Sequence, residues 1–494
     1  MRRSSIAAAF LIAAFCLQAF LALPRLSATS DESIHIAAGY SYWKTRDFRM
    51  NPEHPPLGKA LAALPLLLLR PKFDTSGGDW ANAEEDVFSV RFLYSNDADR
   101  LLFWARAPMV LLAAIGALVT FLWARELFGP AAGVFATALY SFSPNLLAHG
   151  MLVTTDVPLA VFTVLTLYLF WKGRDIPAGI ALGAAMATKF SGALLPIVLI
   201  FLCVIQNRHS ALRRLAILAC SSLIVIEAAY LFSASPLLYL KNAALVNANH
   251  IQNYPFYLFG VMKPGGWWYY FLAALAVKAT VPTLLLIVLA GFHAATGWSN
   301  RSGEIVLLTT IGAFVVLMSI GADQIGVRYL LPIFPLAFIW TSRLVPYFMQ
   351  RRAGIVVLLV LALWQGWSGI RSFPNYIPYF NELAGGSSNG PAFLDDSNID
   401  WGQGMKQAAD YVHNHHLQNV NLYSFSPLDN PQYYGLPPNI PPSEAYQRLL
   451  VNRPTPGIYI ISAHYVTRMK TVNPAWSTYQ PVDRIGESLW VYVF

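Results

Sequence analysis

Apolar residues in this chain come in blocks, and the blocks constrain its fold more than anything else in it. They fall near residues 6–23, 101–124, 130–147, 157–171, 176–189, 191–205, 215–234, 267–290, 304–320, 329–345 and 353–370, eleven in all, with the fifth and sixth short. A helix needs about 20 apolar residues to cross a bilayer core of ~30 Å. Composition agrees: 56% of the 494 residues are hydrophobic and 12% are charged, where soluble globular chains average about 25% charged. The expected fold class is an all-α multi-pass membrane protein of about 11 transmembrane helices, carrying a small C-terminal soluble α/β domain.

Orientation follows from the cations, because Lys and Arg in short loops are retained on the cytoplasmic side. Arg2 and Arg3, Arg125, Lys172 and Arg174, Arg208 with Arg213 and Arg214, Arg301, and Arg351 with Arg352 all fall on one side of the eleven blocks. The N-terminus is therefore expected in the cytoplasm and the C-terminus outside, in a plasma (inner) membrane. The net charge of +8 is accounted for by these loop cations, so no nucleic-acid partner is expected. Cys16, Cys203 and Cys220 lie inside apolar blocks and read as small buried hydrophobes. Residues 1–23 resemble a secretory signal in outline, but the apolar run is long for one and reads as a retained first helix.

Two stretches on the outer side exceed connectors: a first loop, 24–100, and a second, 235–266. After Ile370, Pro, Asn, Asp and Ser become frequent, and the alternating runs NVNLYSF and GIYIISA read as strands. Residues 1–370 thus form a membrane module and 371–494 an extracytoplasmic α/β domain. The first loop opens with TSDESIH, which sets Asp31 and Glu32 at the membrane surface; ionisable groups there are functional candidates, with helix capping by Ser30 or Asp31 the plainer alternative. Twenty residues on, NPEHPPLGK brings Glu53, His54 and Lys59 to the headgroup level, its prolines permitting a helix to start.

TSDE and HPPLGK resemble the C-type glycosyltransferase superfamily, glycosyltransferase family 39-like, in the protein O-mannosyltransferase and lipid A aminoarabinose transferase branch. SPNLLAHGMLVTTDVPL (143–159), GGWWYYFLAALAVKATVP (265–282) and GVRYLLPIFP (326–335) follow in the family's order, so the resemblance covers residues 1 to about 346. It implies transfer of a sugar from a polyprenyl-phosphate carrier, of undecaprenyl or dolichyl type, to a protein, lipid or glycan acceptor outside the membrane. Asp31 matches the family's catalytic base, with Glu32 beside it. Glu53 and His54, with Lys59, match the donor phosphate and sugar cluster, where the aminoarabinose branch has Lys in place of His. Asp156 matches a second acidic position, and Arg328 and Tyr329 a position that meets the lipid phosphate. Ile34 departs from the pattern, since the aminoarabinose branch has arginine there.

The chemistry asks for the same groups. A glycosyl phosphate has a good leaving group, so the enzyme must raise the acceptor's nucleophilicity, a carboxylate's task worth typically 10²–10⁴-fold, and stabilise the departing phosphate with fixed donors. The resemblance favours single displacement with inversion. No cofactor is implied; a divalent cation is compatible with this chemistry and not required by it. His149, Thr154, Lys189 and Lys278 read first as surface or snorkelling groups, Trp267 to Tyr270 as an interfacial belt, and His413, His415 and His416 as a solvated helix end. DDSNIDWGQ (395–403) starts like a calcium loop but has Trp401 where the turn requires Gly; it reads as an oxygen-rich structural turn, with acceptor recognition as the alternative. A transporter or flippase would place ionisable groups at the bilayer midplane, whereas here they gather in outer loops. A noncatalytic assembly factor on a decayed scaffold is the third reading, opposed by the joint presence of Asp31, Glu32, His54 and Asp156.

Overall fold

A computed structural model describes residues 2–206, 210–233, 238–249, 253–441, 444, 448–449 and 454–494. Arg208 of the cation pattern and parts of the second loop, 234–237 and 250–252, lie outside the described residues. The chain is mostly helical, and each of the eleven apolar blocks contains helix. By length and composition four described helices can cross a membrane: Arg2–Arg25, Ala98–Phe128, Arg301–Gly321 and Arg352–Arg371. Tyr270–Lys278 and Val281–Ala295 make a fifth if the pair, bent by 116°, is one span. Shorter apolar helices include Asp156–Trp171, Asp175–Met186 and Ile333–Phe348.

The breaks are written locally. Ser143 precedes Pro144, and a residue before proline is pushed out of the helical region, so block 130–147 divides into Pro130–Ser141 and Pro144–Gly150. At the 116° bend Thr280 is extended and caps the second helix, its hydroxyl accepting from the Thr283 N–H. Lys278, on the near side of that bend, is buried and donates to the carbonyls of Ile377 at 2.7 Å and Asn398 at 2.8 Å. It is a strap to the C-terminal segment rather than a snorkelling cation.

The first long loop is itself helical. Ser30–Thr45 lies against Leu57–Leu69 so closely that a Cβ on Gly39 would come within 2.1 Å of the Lys59 carbonyl oxygen. Beyond the bundle, β1 (Pro255–Leu258) and β2 (Val261–Pro264) form a hairpin. A four-stranded sheet follows, of β3 (Val420–Tyr423), β4 (Ile458–Ser462), β5 (Asp483–Ile485) and β6 (Leu489–Val493), in the order β3-β4-β6-β5. β3 and β4, parallel to one another, are the strands expected from NVNLYSF and GIYIISA. The sheet is continuous with the bundle, because Tyr459, Ile461 and Trp476 share one buried cluster with the helices.

Asp400, with no exposed surface, sits at the end of β4 and takes hydrogen bonds from Ser462 Oγ at 2.6 Å and the Gly402 N–H at 3.0 Å. Burial pushes its carboxyl up to about 6, above the ordinary aspartate value of about 3.9. A raised folded-state value stabilises at low pH, and that contribution is lost as pH rises from about 4 through 6. Asp400→Asn is therefore expected to gain about 2 kcal/mol more, relative to the parent, at pH 7.5 than at pH 4.5. Thermal melts of both proteins across this window check it; a constant difference would contradict it.

Candidate active site

The helix Ser30–Thr45 has Thr29 as its N-cap, and Glu32 reaches back to accept the Thr29 N–H at 2.9 Å. The same carboxylate accepts the Val153 N–H at 2.9 Å and two bonds from the Arg106 guanidinium, Nε at 2.8 Å and Nη2 at 2.6 Å. Arg106 completes its shell on the carbonyls of Leu23, Leu26 and Ser27, and neither side chain has exposed surface. Both oxygens of Glu32 are thus consumed inside the protein. Glu32 stands among the residues expected in catalysis, and its geometry here is that of a strut. Consecutive residues on a helix point about 100° apart, so its neighbour Asp31 faces elsewhere.

Asp31 faces Arg328, whose Nη1 lies 3.0 Å from Asp31 Oδ2 and 3.5 Å from Asp156 Oδ2. Asp156 opens the helix Asp156–Trp171 and binds Lys189 Nζ at 2.5 Å through its other oxygen. Two cations and two carboxylates therefore alternate across one small chamber. Tyr329 supplies a ring beneath Lys189 Nζ at 4.5 Å, and Trp401 one beneath the Arg328 guanidinium at 4.2 Å. Among the four charged side chains Asp31 is the most open, 28% exposed against 10% for Arg328, 11% for Lys189 and 1% for Asp156. It is the carboxylate that a second substrate can reach.

Imidazoles line one flank. His35 and His54 meet edge to face with centroids 5.2 Å apart, and His35 Nδ1 bonds the Val153 carbonyl at 2.8 Å. Burial first, then the neighbouring His35, Lys59 and Lys189, holds His54 well below the usual histidine range, so its ring is neutral. His54 Nδ1, His149 Nδ1, Thr154 Oγ1 and Arg328 Nε are all buried without a hydrogen-bond partner. Buried polar groups are ordinarily paired, and four such atoms from the first loop, 143–156 and 328 form a lining suited to an oxygen-rich ligand.

NPEHPPLGK divides its residues between two tasks. Lys59 is 1% exposed and gives its three N–H groups to Asn51 O at 2.7 Å, Asn51 Oδ1 at 2.9 Å and His54 O at 2.7 Å. It folds the loop that presents His54, and in this arrangement all three of its N–H groups are spent within that loop, whereas the expectation placed it in the donor cluster. Glu53 is half-buried, and its charge acts on Glu85, Asp86 and Lys59; the structure groups it with those residues, whereas His54 is within reach of the Asp156 and Lys189 charges.

Sequence reasoning undervalued Lys189 and His149 and missed His35 and Trp401 altogether. His149 is 3% exposed and stands 6.0 Å from the Trp401 ring. The DDSNIDWGQ turn closes the chamber with bonds internal to the protein: Asp395 Oδ2 to Arg468 Nε at 2.7 Å, Asn398 Oδ1 to the Val327 N–H at 3.0 Å, and Asp400 to Ser462. His413, His415 and His416 stay exposed at the end of the helix Met405–Asn414.

Residues 99–235 match the family model of dolichyl-phosphate-mannose-protein mannosyltransferase. The crystal structure of ArnT from Cupriavidus metallidurans bound to undecaprenyl phosphate is similar over 98% of this chain and 97% of that chain, with a TM-score of 0.52 and 15% sequence identity. In the apo state the same protein gives a TM-score of 0.53 at 14% identity over the same shares. At such identities the likeness shows the fold. The Archaeoglobus fulgidus oligosaccharyltransferase in its apo form is 11% identical, with 96% of this chain and 73% of that chain covered and a TM-score of 0.49. No curated protein matches the sequence.

Proposed function

We propose that this chain, whose fold is like that of ArnT and whose residues 99–235 match the dolichyl-phosphate-mannose-protein mannosyltransferase model, is a membrane glycosyltransferase that moves a sugar from a polyprenyl-phosphate donor to an acceptor hydroxyl or amine. Fold alone does not carry a function. The observation that carries this one is the Asp31–Arg328–Asp156–Lys189 chamber, in which one reachable carboxylate stands against a buried guanidinium with unused N–H groups. The site faces the extracytoplasmic side of the membrane on the cation pattern, and protein, lipid or glycan remains open as the acceptor.

In the reaction the acceptor heteroatom forms a bond to the anomeric carbon while the bond from that carbon to the phosphate oxygen breaks. The bonding pair leaves with the polyprenyl phosphate, and Asp31 takes the acceptor's proton. Arg328, Lys189 and neutral His54 meet the charge growing on the phosphate, with Tyr329 walling the cations. Asp156 holds Lys189 and, at 3.5 Å, the same Arg328 Nη1 that faces Asp31, keeping both cations in place before the donor arrives. Undecaprenyl phosphate bound to ArnT is in keeping with a carrier of this class. Inversion follows from direct attack opposite the phosphate.

Donor binding gives Arg328 a third anion beside Asp31 and Asp156. Arg328 pairs with Asp31 at 3.0 Å; a phosphate that draws the guanidinium away leaves the carboxylate open to the acceptor. Donor therefore binds before the acceptor is activated. Arg328→Ala should lower affinity for the lipid phosphate about 10- to 100-fold, because a hydrogen bond to a charged group contributes ~1.5–3 kcal/mol. Titration of undecaprenyl phosphate into the purified protein, and turnover with a panel of polyprenyl-phosphate sugars, test this. Unchanged affinity in Arg328→Ala removes that residue from the donor site.

A further inference from the structure

We propose that Trp401 is a positioning residue for Arg328, so that the C-terminal segment supplies one wall of the active chamber rather than standing apart from it. The inference rests on the donor-site reading of Arg328 given above. Trp401 belongs to a loop that fastens both halves of the Asp31–Arg328 pair. Toward Asp31, the Ser27 N–H binds Gln403 O at 3.1 Å, the Ser30 N–H binds Trp401 O at 2.9 Å, Ser27 Oγ binds Gly402 O at 2.9 Å, and the Met405 N–H returns to Ser27 Oγ at 2.9 Å. Toward Arg328, Asn398 Oδ1 accepts the Val327 N–H at 3.0 Å and Ser397 Oγ binds Ile325 O at 2.7 Å. Asp396, held at φ +56° in the same loop, is close enough to Asp31 and Arg328 for both charges to bear on it.

The backbone bonds set where the loop lies; the indole does something they cannot. Arg328 has carboxylates at 3.0 and 3.5 Å, and its Nε is buried without a partner. A carboxylate as third partner would consume those N–H groups and compete with a phosphate. A ring face attracts the cation through its quadrupole and leaves the N–H edges unspent. Trp401, itself 2% exposed, lies under the guanidinium at 4.2 Å, a face-on contact that spends none of the N–H groups an anion would need. Gly402 next to it sits at φ +93°, where a Cβ would approach Asp429 Oδ1 to 2.4 Å, so the loop turns tightly enough to aim the ring inward.

The test uses the full chain in detergent, with undecaprenyl phosphate as the probe. Trp401→Leu is expected to lose roughly 3- to 30-fold in affinity, the range that a cation–π contact of ~0.5–2 kcal/mol gives. Trp401→Phe, which keeps a ring face, is expected to recover most of it. In the double variant with Arg328→Ala, the Trp401→Leu effect should vanish, since the ring acts through the guanidinium. Trp401→Leu binding as tightly as the parent, or its loss adding fully to that of Arg328→Ala, overturns the proposal and leaves the indole as core filling. Arg328→Ala binding like the parent sinks the donor-site reading instead, and the two failures are distinct. Should Trp401→Leu not fold, Trp401→Met against Trp401→Phe makes the same comparison.

Discussion

Asp31→Asn is expected to lower turnover by about 10² or more while leaving affinity for the lipid phosphate unchanged or slightly tighter. The first half follows from removing the group that takes the acceptor's proton, an effect of typically 10²–10⁴-fold. The second half is particular to this chamber. Arg328 Nη1 lies 3.0 Å from Asp31 Oδ2, so the aspartate competes with the donor phosphate for the same cation. Asparagine keeps the shape and drops the charge, and the competition weakens. A residue that merely shaped the donor site would lose affinity and turnover together, whereas a base loses turnover at constant affinity. Full activity of Asp31→Asn in folded protein would falsify the catalytic assignment and pass the role to Asp156 or Asp396.

That assignment was half legible in the sequence, and the half that was not has a physical cause. Acids immediately after the first apolar block marked Asp31 because charge at a membrane end needs a reason, and the family resemblance of GVRYLLPIFP marked Arg328. Sequence could not say that adjacent Asp31 and Glu32 part company, because the partner of Glu32 is Arg106, 74 residues away and inside an apolar block. Lys59 misled for a similar reason: a lysine after a Pro-Pro turn reads as a snorkelling or phosphate-binding group, and only the fold shows its three N–H groups spent on Asn51 and His54. Lys189 was visible only as a cation near a helix end, and nothing local announces that Asp156 and Tyr329 are waiting for it. Trp401 was the hardest. Its contact to Arg328 joins residues 73 apart with neither periodicity nor motif between them, and the DDSNIDWGQ turn drew attention to its oxygens instead of its ring. Apolar blocks read well as helices, but where a block breaks depends on prolines and caps such as Thr280 that hydropathy does not weigh.

Glu32→Ala is expected to fail in the opposite way from Asp31→Asn, by loss of the folded protein rather than of chemistry. The substitution leaves Arg106 charged with no exposed surface, and removing one partner of a buried ion pair destabilises by about 3–5 kcal/mol. It also releases the Thr29 N–H from its cap and strands the Val153 N–H, each a buried donor whose orphaning adds ~1–3 kcal/mol. Those totals approach the whole stability of a typical fold, about 5–15 kcal/mol, so little monodisperse protein should survive extraction, and what survives should melt well below the parent. Glu32→Gln keeps the shape and most of the hydrogen bonds, and should fold with a smaller loss. Replacing Glu32 and Arg106 together by leucine should be milder than Glu32→Ala alone, because no charge is left unpaired. Size-exclusion profiles and thermal melts in detergent separate these cases. If Glu32→Ala instead extracts and melts like the parent while turnover collapses, the strut is a reacting group after all, and the geometry that commits both of its oxygens to Arg106, Thr29 and Val153 does not persist in the working enzyme.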